Sequence, residues 1–231
     1  MQQAQHGKQK SLSIIRQMAS VTTLSFQMLP EESAVELYQK LRDENTITWV
    51  GQSTLLIKIN GITILTDPFF SKNASPFSVG PSRYVNPGIS AENLPPIDII
   101  LVSHNHYDHL DVDFIESIPN KDEIHIFVPL KLKSFFSEFG FTNIYELDWY
   151  DSDKVGDIRL TALPSVHYSG RGINDKNTTS WCSWAMTTPF GKYYFIGDSA
   201  YSPVLFKQIG EKFGFFDLAM IGIGTYGNRK Y

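Results

Sequence analysis

A short, almost unbroken apolar run, Ile97 to Val102 (IDIILV), leads directly into Ser103-His104-Asn105-His106-Tyr107-Asp108-His109-Leu110-Asp111. A run of that length without polar alternation fits a strand buried on both faces, which needs a layer of helix or sheet on either side. Three of the chain's six histidines then leave the strand together, with a carboxylate between the second and third. Ligands in α/β sheets bind beyond the carboxyl ends of strands. The segment therefore predicts a layered α/β domain with a site at one sheet edge.

The rest of the chain agrees with layers. Pro30-Glu31-Glu32 is a helix start with acids in the first turn, and Ala34, Val35, Leu37, Tyr38 and Leu41 recur at helical spacing to about Arg42. Thr46 to Val50 and Thr54 to Ile59 are β-branched runs, and Asn60-Gly61 is a hairpin signal before Ile62 to Thr66. Asp67-Pro68 ends that strand, and residues 71–96 form a long loop with five prolines. After the histidine segment, Val112 to Ser117 reads as helix, Ile124 to Val128 as strand, Lys131 to Phe139 as helix and Asn143 to Leu147 as strand. Ile158 to Leu163, Ser180 to Thr187 and Lys192 to Ile196 return to sheet, Pro203 to Phe213 is a helix stopped by Gly214, and Leu218 to Ile223 is a last buried strand. Alternating strand and helix argue for α/β layers. The division expected is an arm with an amphipathic helix over 1–45 and a folded domain over 46–231.

Composition narrows the function classes. At 231 residues and 42% hydrophobic, the chain can bury one substantial core. Twenty basic against 24 acidic side chains give a net charge of −4, a poor footprint for gripping nucleic acid through phosphates. The single cysteine, Cys182, excludes an intramolecular disulfide and a cysteine-rich zinc module. No window approaches a membrane span of roughly 18–20 apolar residues. Leu12 to Leu29, broken by hydroxyl residues, is a weak signal-peptide candidate and reads better as an arm on or near a surface. Trp181, Trp184, Tyr193, Tyr194, Phe215 and Phe216 read as core and interface bulk.

The chemistry lies in the histidine segment. Residues two apart in extended chain share a side, so His104, His106 and Asp108 can converge on one point. His109 faces elsewhere until the backbone turns, and can then join Asp108 at a second point. Imidazole and carboxylate are the ligands of zinc and similar divalent ions. Two more candidates follow later strands: His167 after Leu163-Pro164, and Asp198 after Gly197. Read alone, His167 is a loop histidine and Asp198 a helix N-cap; beside the first cluster, both sit at strand ends where a metal would be.

His-x-His-x-Asp-His, a later His and a Gly-Asp resemble the metallo-β-lactamase fold, an αββα sandwich. Further stretches resemble its N-acyl-phosphatidylethanolamine-hydrolysing phospholipase D branch. They are Trp49-Val50-Gly51, Leu65-Thr66-Asp67-Pro68, Leu94-Pro95-Pro96-Ile97-Asp98, Glu146-Leu147-Asp148-Trp149 and Phe213-Gly214-x-Phe216-Asp217-Leu218-Ala219, covering roughly residues 46–226 together with the histidine segment. The resemblance implies two zinc ions: His104, His106 and His167 on the first, Asp108 and His109 on the second, and Asp198 bridging. Asp108 is also taken as catalytic, and Tyr107 as the contact to the substrate head group. A hydroxide bridging the metals would attack phosphorus, releasing N-acylethanolamine and phosphatidic acid. The partners implied are a phospholipid and a peripheral membrane surface, with a homodimer compatible and nucleic acid not expected; the location implied is cytoplasmic or peripheral to a membrane.

The chain departs from the family at two places. Gly51-Gln52 stands where the family has Gly-His, which puts the support of a ligand in question. No histidine follows His167, so the family's later ligand on the second zinc is not supplied, and the expectation is a second half incomplete at its C-terminus. The alternatives are another hydrolase of the fold, of the lactonase type, acting on a soluble substrate, or a catalytically impaired truncated member.

Overall fold

The computed structural model describes residues 29–76 and 80–224. The arm read over residues 1–29 lies, but for Leu29, outside them. The Asn60-Gly61 pair turns the chain between β2 (Thr54–Ile59) and β3 (Ile62–Thr66), with Ile59 opposite Ile62. Asn60 and Gly61 have φ of 52° and 79°, the left-handed pair that a two-residue hairpin needs. With β1 (Thr46–Gly51), β4 (Ile99–Leu101), β5 (His125–Pro129) and β6 (Asn143–Leu147), these form a six-stranded sheet in sequence order. It is antiparallel from β1 to β3 and parallel from β3 to β6.

The second sheet has the order β11-β10-β9-β8-β7, built from β7 (Ser152–Val155), β8 (Ile158–Leu163), β9 (Ser183–Thr188), β10 (Gly191–Phe195) and β11 (Leu218–Met220). The two-residue period of the strands sorts their side chains into three apolar layers. Ile57, Ile64, Ile99, Leu101 and Phe127 pack between the sheets against Leu160, Trp184, Met186 and Phe195. Their neighbours Leu56, Leu65, Ile100 and Ile126 face outward, onto Phe114 and Ile115 of α2 (Val112–Ser117) and Phe136 of α3 (Lys133–Glu138). On the far side, Ala185, Tyr194 and Ile196 receive Ile209 of α4 (Pro203–Phe213). The result is the expected four-layer αββα sandwich.

The helix at the start, α1 (Glu31–Lys40), buries no residue and rests Ala34, Val35 and Tyr38 on the outer layer. Its first turn is pinned by the Glu31 carboxylate, which accepts from Ser90 N (2.7 Å) and Asn93 Nδ2 (2.9 Å). The Ser202 side chain caps α4 by accepting from Leu205 N, so Asp198 is not the cap. Strand β7 was not foreseen, because Ser-Asp-Lys-Val at an exposed edge has no apolar alternation. The helix over 131–139 begins only at Lys133, since Lys131 takes a φ of 69°. Strands β4, β9 and β11 are shorter than their apolar runs suggested. Phe215, read as core and interface bulk, is 95% exposed and lies outside the core. No helix among the described residues is long and apolar enough to cross a membrane.

Topology brings four strand ends to one edge. Strands β3 and β4 are parallel neighbours, and β8 and β10 both run antiparallel to β9, so each pair ends on one side. The sheets are tied there by Trp184 Nε1 donating to Val102 O (3.1 Å) and Cys182 N donating to Ser103 O (2.9 Å).

Candidate metal centre

Asp67, just past β3, is fully buried and holds the edge together. It accepts from Ser103 N and Ser103 Oγ, both at 2.6 Å, and its Oδ2 lies 2.7 Å from His109 Nδ1. Its φ of 35° is a left-handed conformation that a non-glycine residue adopts only where its surroundings impose it. Ser103 Oγ spends its proton on Asp67, so it can only accept at its 2.8 Å contact with His104 Nδ1. His104 is thereby set with the proton on Nδ1 and the lone pair on Nε2, and His109 keeps a proton on Nδ1 against Asp67. Sequence reasoning took Asp67 for a strand terminator inside a family motif. Its partners lie 36 and 42 residues away, and only the pairing of β3 with β4 reveals them.

Three ring nitrogens converge beyond β4 and β8. His104 Nε2 is 2.8 Å from His106 Nδ1, and His167 Nε2 is 3.1 and 3.2 Å from those two atoms. Four ligands at about 2.0–2.1 Å from a tetrahedral zinc stand roughly 3.3–3.4 Å apart, close to this triangle. Burial, reinforced by the neighbouring histidines, holds His104 well below the ordinary imidazole value. For the same reasons, burial first and then His167, His106 is lowered to about 4. Burial also lowers His167, with His109 adding to it against Asp198. Three neutral imidazoles aimed at one point are donors for a cation.

The second cluster is more open. The turn that begins at His106, whose carbonyl accepts from His109 N and Leu110 N, carries Asp108 and His109. Alternation lets Asp108 converge with His104 and His106 and also meet His109; its Oδ2 lies 3.7 Å from His109 Nε2. Asp198 Oδ2 lies 3.3 Å from His109 Nε2 and 3.7 Å from His167 Nε2, between the clusters. His109 Nε2 is buried yet makes no hydrogen bond. Burial disfavours charge on this ring, but Asp198 and Asp67 on either side outweigh it and push its pKa well above the ordinary value. An orphaned buried nitrogen between carboxylates marks a place that favours positive charge. The His104, His106 and His167 donors thus fit a divalent ion, and imidazole suits zinc; Asp108, His109 and Asp198 form a looser set beside them.

The support in question at Gly51-Gln52 is supplied by the glutamine itself: Gln52 Nε2 donates to Asp108 Oδ2 at 2.9 Å. Gly197 admits Asp198 to the edge, because a Cβ there would lie 2.5 Å from Ser103 Cβ. Tyr107 is half-buried; its hydroxyl donates to Arg171 O (2.9 Å) and its ring lies 3.9 Å from the Arg171 guanidinium. His125 bonds Tyr145 away from the site, at 3.1 Å, and Cys182 is a buried thiol whose pKa burial raises. His6 lies outside the described residues.

Four layers with histidines and aspartates at the shared strand edge define a metallo-β-lactamase-type architecture, and residues 63–231 match the Beta-lactamase superfamily domain. The chain belongs to that superfamily. It is 40% identical over 193 residues to N-acyl-phosphatidylethanolamine-hydrolyzing phospholipase D 1 of Caenorhabditis elegans, covering 79% of this chain and 54% of the relative. It is 36% identical over 218 residues to the mitochondrial enzyme of that name from Saccharomyces cerevisiae, covering 85% and 47%. The chain spans about half the length of these curated relatives. Among solved structures, CmlA, a diiron β-hydroxylase from Streptomyces venezuelae, superposes with a TM-score of 0.60 at 23% identity, covering 78% of this chain and 34% of that one. That likeness is one of fold.

Proposed function

We propose that this chain holds two zinc ions and hydrolyses the phosphodiester of an N-acylated ethanolamine phospholipid, releasing N-acylethanolamine and phosphatidic acid. The observation that carries the reading is the meeting of six donors from three chain segments at one sheet edge, with His109 Nε2 buried between Asp108 and Asp198 without a hydrogen bond. Similarity to phospholipases of that name supports the substrate class. His104, His106 and His167 would hold one ion, Asp108 and His109 the other, with Asp198 between. The metals, when bound, supply Lewis acidity to phosphate oxygens and lower the pKa of water.

The chain's own residues do the rest. Ser103 and Asp67 hold the Nδ1 protons of His104 and His109 outward, so that both Nε2 atoms face the site. Gln52 steers Asp108, which is partly open to solvent and placed to accept a proton from incoming water. Tyr107, whose hydroxyl is committed to Arg171 O, would have only its ring to offer the head group. A phospholipid substrate implies that the edge works at a membrane surface.

The test is zinc per purified chain together with product analysis on N-acyl-phosphatidylethanolamine vesicles and a lactone panel. Two zinc ions and release of N-acylethanolamine are expected. Lactone turnover without phospholipid turnover would assign another hydrolase of the fold. Two zinc ions with neither activity would overturn the phosphodiesterase reading and leave a metal-binding chain.

A further inference from the structure

We propose that Arg171 is a positioning residue that clamps the turn carrying His106, Asp108 and His109 to the loop carrying His167, and so fixes the spacing between the two metal sites. Arg171 Nη1 donates to Asn105 O at 2.8 Å and to Leu110 O at 2.7 Å. Those two carbonyls bracket residues 106–109, and one nitrogen with two protons closes the turn across its base. The guanidinium plane meets the Tyr107 ring at 3.9 Å, and the Tyr107 hydroxyl returns to Arg171 O at 2.9 Å. Side chain and main chain of one residue therefore grip the turn from both sides.

The clamp is itself held. Asp175 accepts from Arg171 N (2.8 Å) and Gly172 N (2.7 Å), and Gly170 N donates to Asn105 Oδ1 (2.8 Å). Arg171 follows His167 by four residues, so a shift at either segment is transmitted to the other. Lysine does not replace this group: it can reach a carbonyl, but it lacks the planar face that stacks on Tyr107. A Gly-Arg-Gly stretch in a polar loop gives no sign of this in sequence. An arginine held for a substrate anion would leave the donors of Nη1 free, whereas here they are spent on main chain.

The metal part of this inference rests on the reading above, and the experiment separates the two. Hydrogen exchange on the metal-free full chain compares wild type, Arg171→Met, Arg171→Lys and the exposed control Arg159→Gln. Amides of His109 and Leu110, both bonded to His106 O, should exchange about tenfold faster or more in Arg171→Met, with β4 and β8 unchanged. Arg171→Lys should lie between, and Arg159→Gln should match wild type. Cobalt(II) titration, followed by visible absorption and chelator competition, should show about 10–100-fold weaker loading and altered bands in Arg171→Met. Unchanged exchange at His109 and Leu110, or a uniform rise across all strands, overturns the clamp. So does wild-type cobalt affinity with only a raised KM, which would make Arg171 a substrate contact. If wild type itself takes up no cobalt, the metal reading fails and the exchange data still decide on Arg171. If Arg171→Met does not fold, Arg171→Lys and Tyr107→Phe carry the same local comparison.

Discussion

His104, His106 and His167 present three neutral nitrogens within 2.8–3.2 Å of one another, whereas Asp108, His109 and Asp198 spread their donors over 3.3–3.7 Å contacts. The first cluster is set by desolvation, which strips charge from packed imidazoles. The second combines one buried ring with two partly exposed carboxylates in a looser set. A ligand set that is already assembled loses little freedom on binding; one that must draw two carboxylates together loses more. We therefore expect chelator to remove metal in two phases, with the second cluster emptying first. A single phase would break the comparison.

The largest effect should come from Asp67, which serves both clusters. In Asp67→Asn, the amide would donate to His109 Nδ1 and force the proton onto Nε2, the atom that must carry a lone pair. The same change weakens the Ser103 link to His104. Both sites should lose affinity by about 10–100-fold each, read by competition with a calibrated chelator. Loss at the second cluster alone would show that Ser103 orients His104 without Asp67.

Gly197→Ala comes next. A methyl 2.5 Å from Ser103 Cβ must displace one strand end, at a cost of about 1–3 kcal/mol in thermal or urea unfolding. Because Asp198 moves with it, the second cluster should weaken more than the first. Equal weakening would mean that the displacement falls on Ser103.

What could be read from sequence divides along a physical line. The Asn60-Gly61 turn, helix α4 with its Pro203 start and Gly214 stop, and the outgoing His-x-His-x-Asp-His segment are local, written in neighbouring residues. Strand β7 was invisible because an exposed polar edge carries no hydrophobic period. Asp67 and Arg171 were missed for another reason: their work depends on which strand ends and loops meet in space. The place of Asp108 is similar, since a turn beginning at His106 carries it beside His109. The segments that meet at the sheet edge were thus legible from residue type, spacing and a family resemblance, while the residues that brace them were not.

Gln52→Ala touches one cluster only. Its amide holds Asp108 at 2.9 Å from an exposed position, so the loss should be about tenfold at the second site, the lower end of such effects, with the first unchanged. Gln52→His, which keeps a ring N–H able to donate here, should keep affinity near wild type. If Gln52→Ala weakens both sites, the clusters are coupled through Asp198 rather than separate.

The smallest effect sharpens the other side of the comparison. Tyr168 sets its ring against His106 at 4.6 Å and His167 at 4.8 Å, but is about half exposed. An aromatic contact of this kind contributes about 0.5 kcal/mol at such a site, the low end of its range. Tyr168→Ala should then weaken the first cluster only two- to threefold, because His104 remains buried and its tautomer is fixed from the opposite side by Ser103. Isothermal titration of metal into the stripped protein resolves a change of that size. A tenfold loss instead would mean that the imidazole triangle is held from its solvent side, and that burial alone does not assemble it.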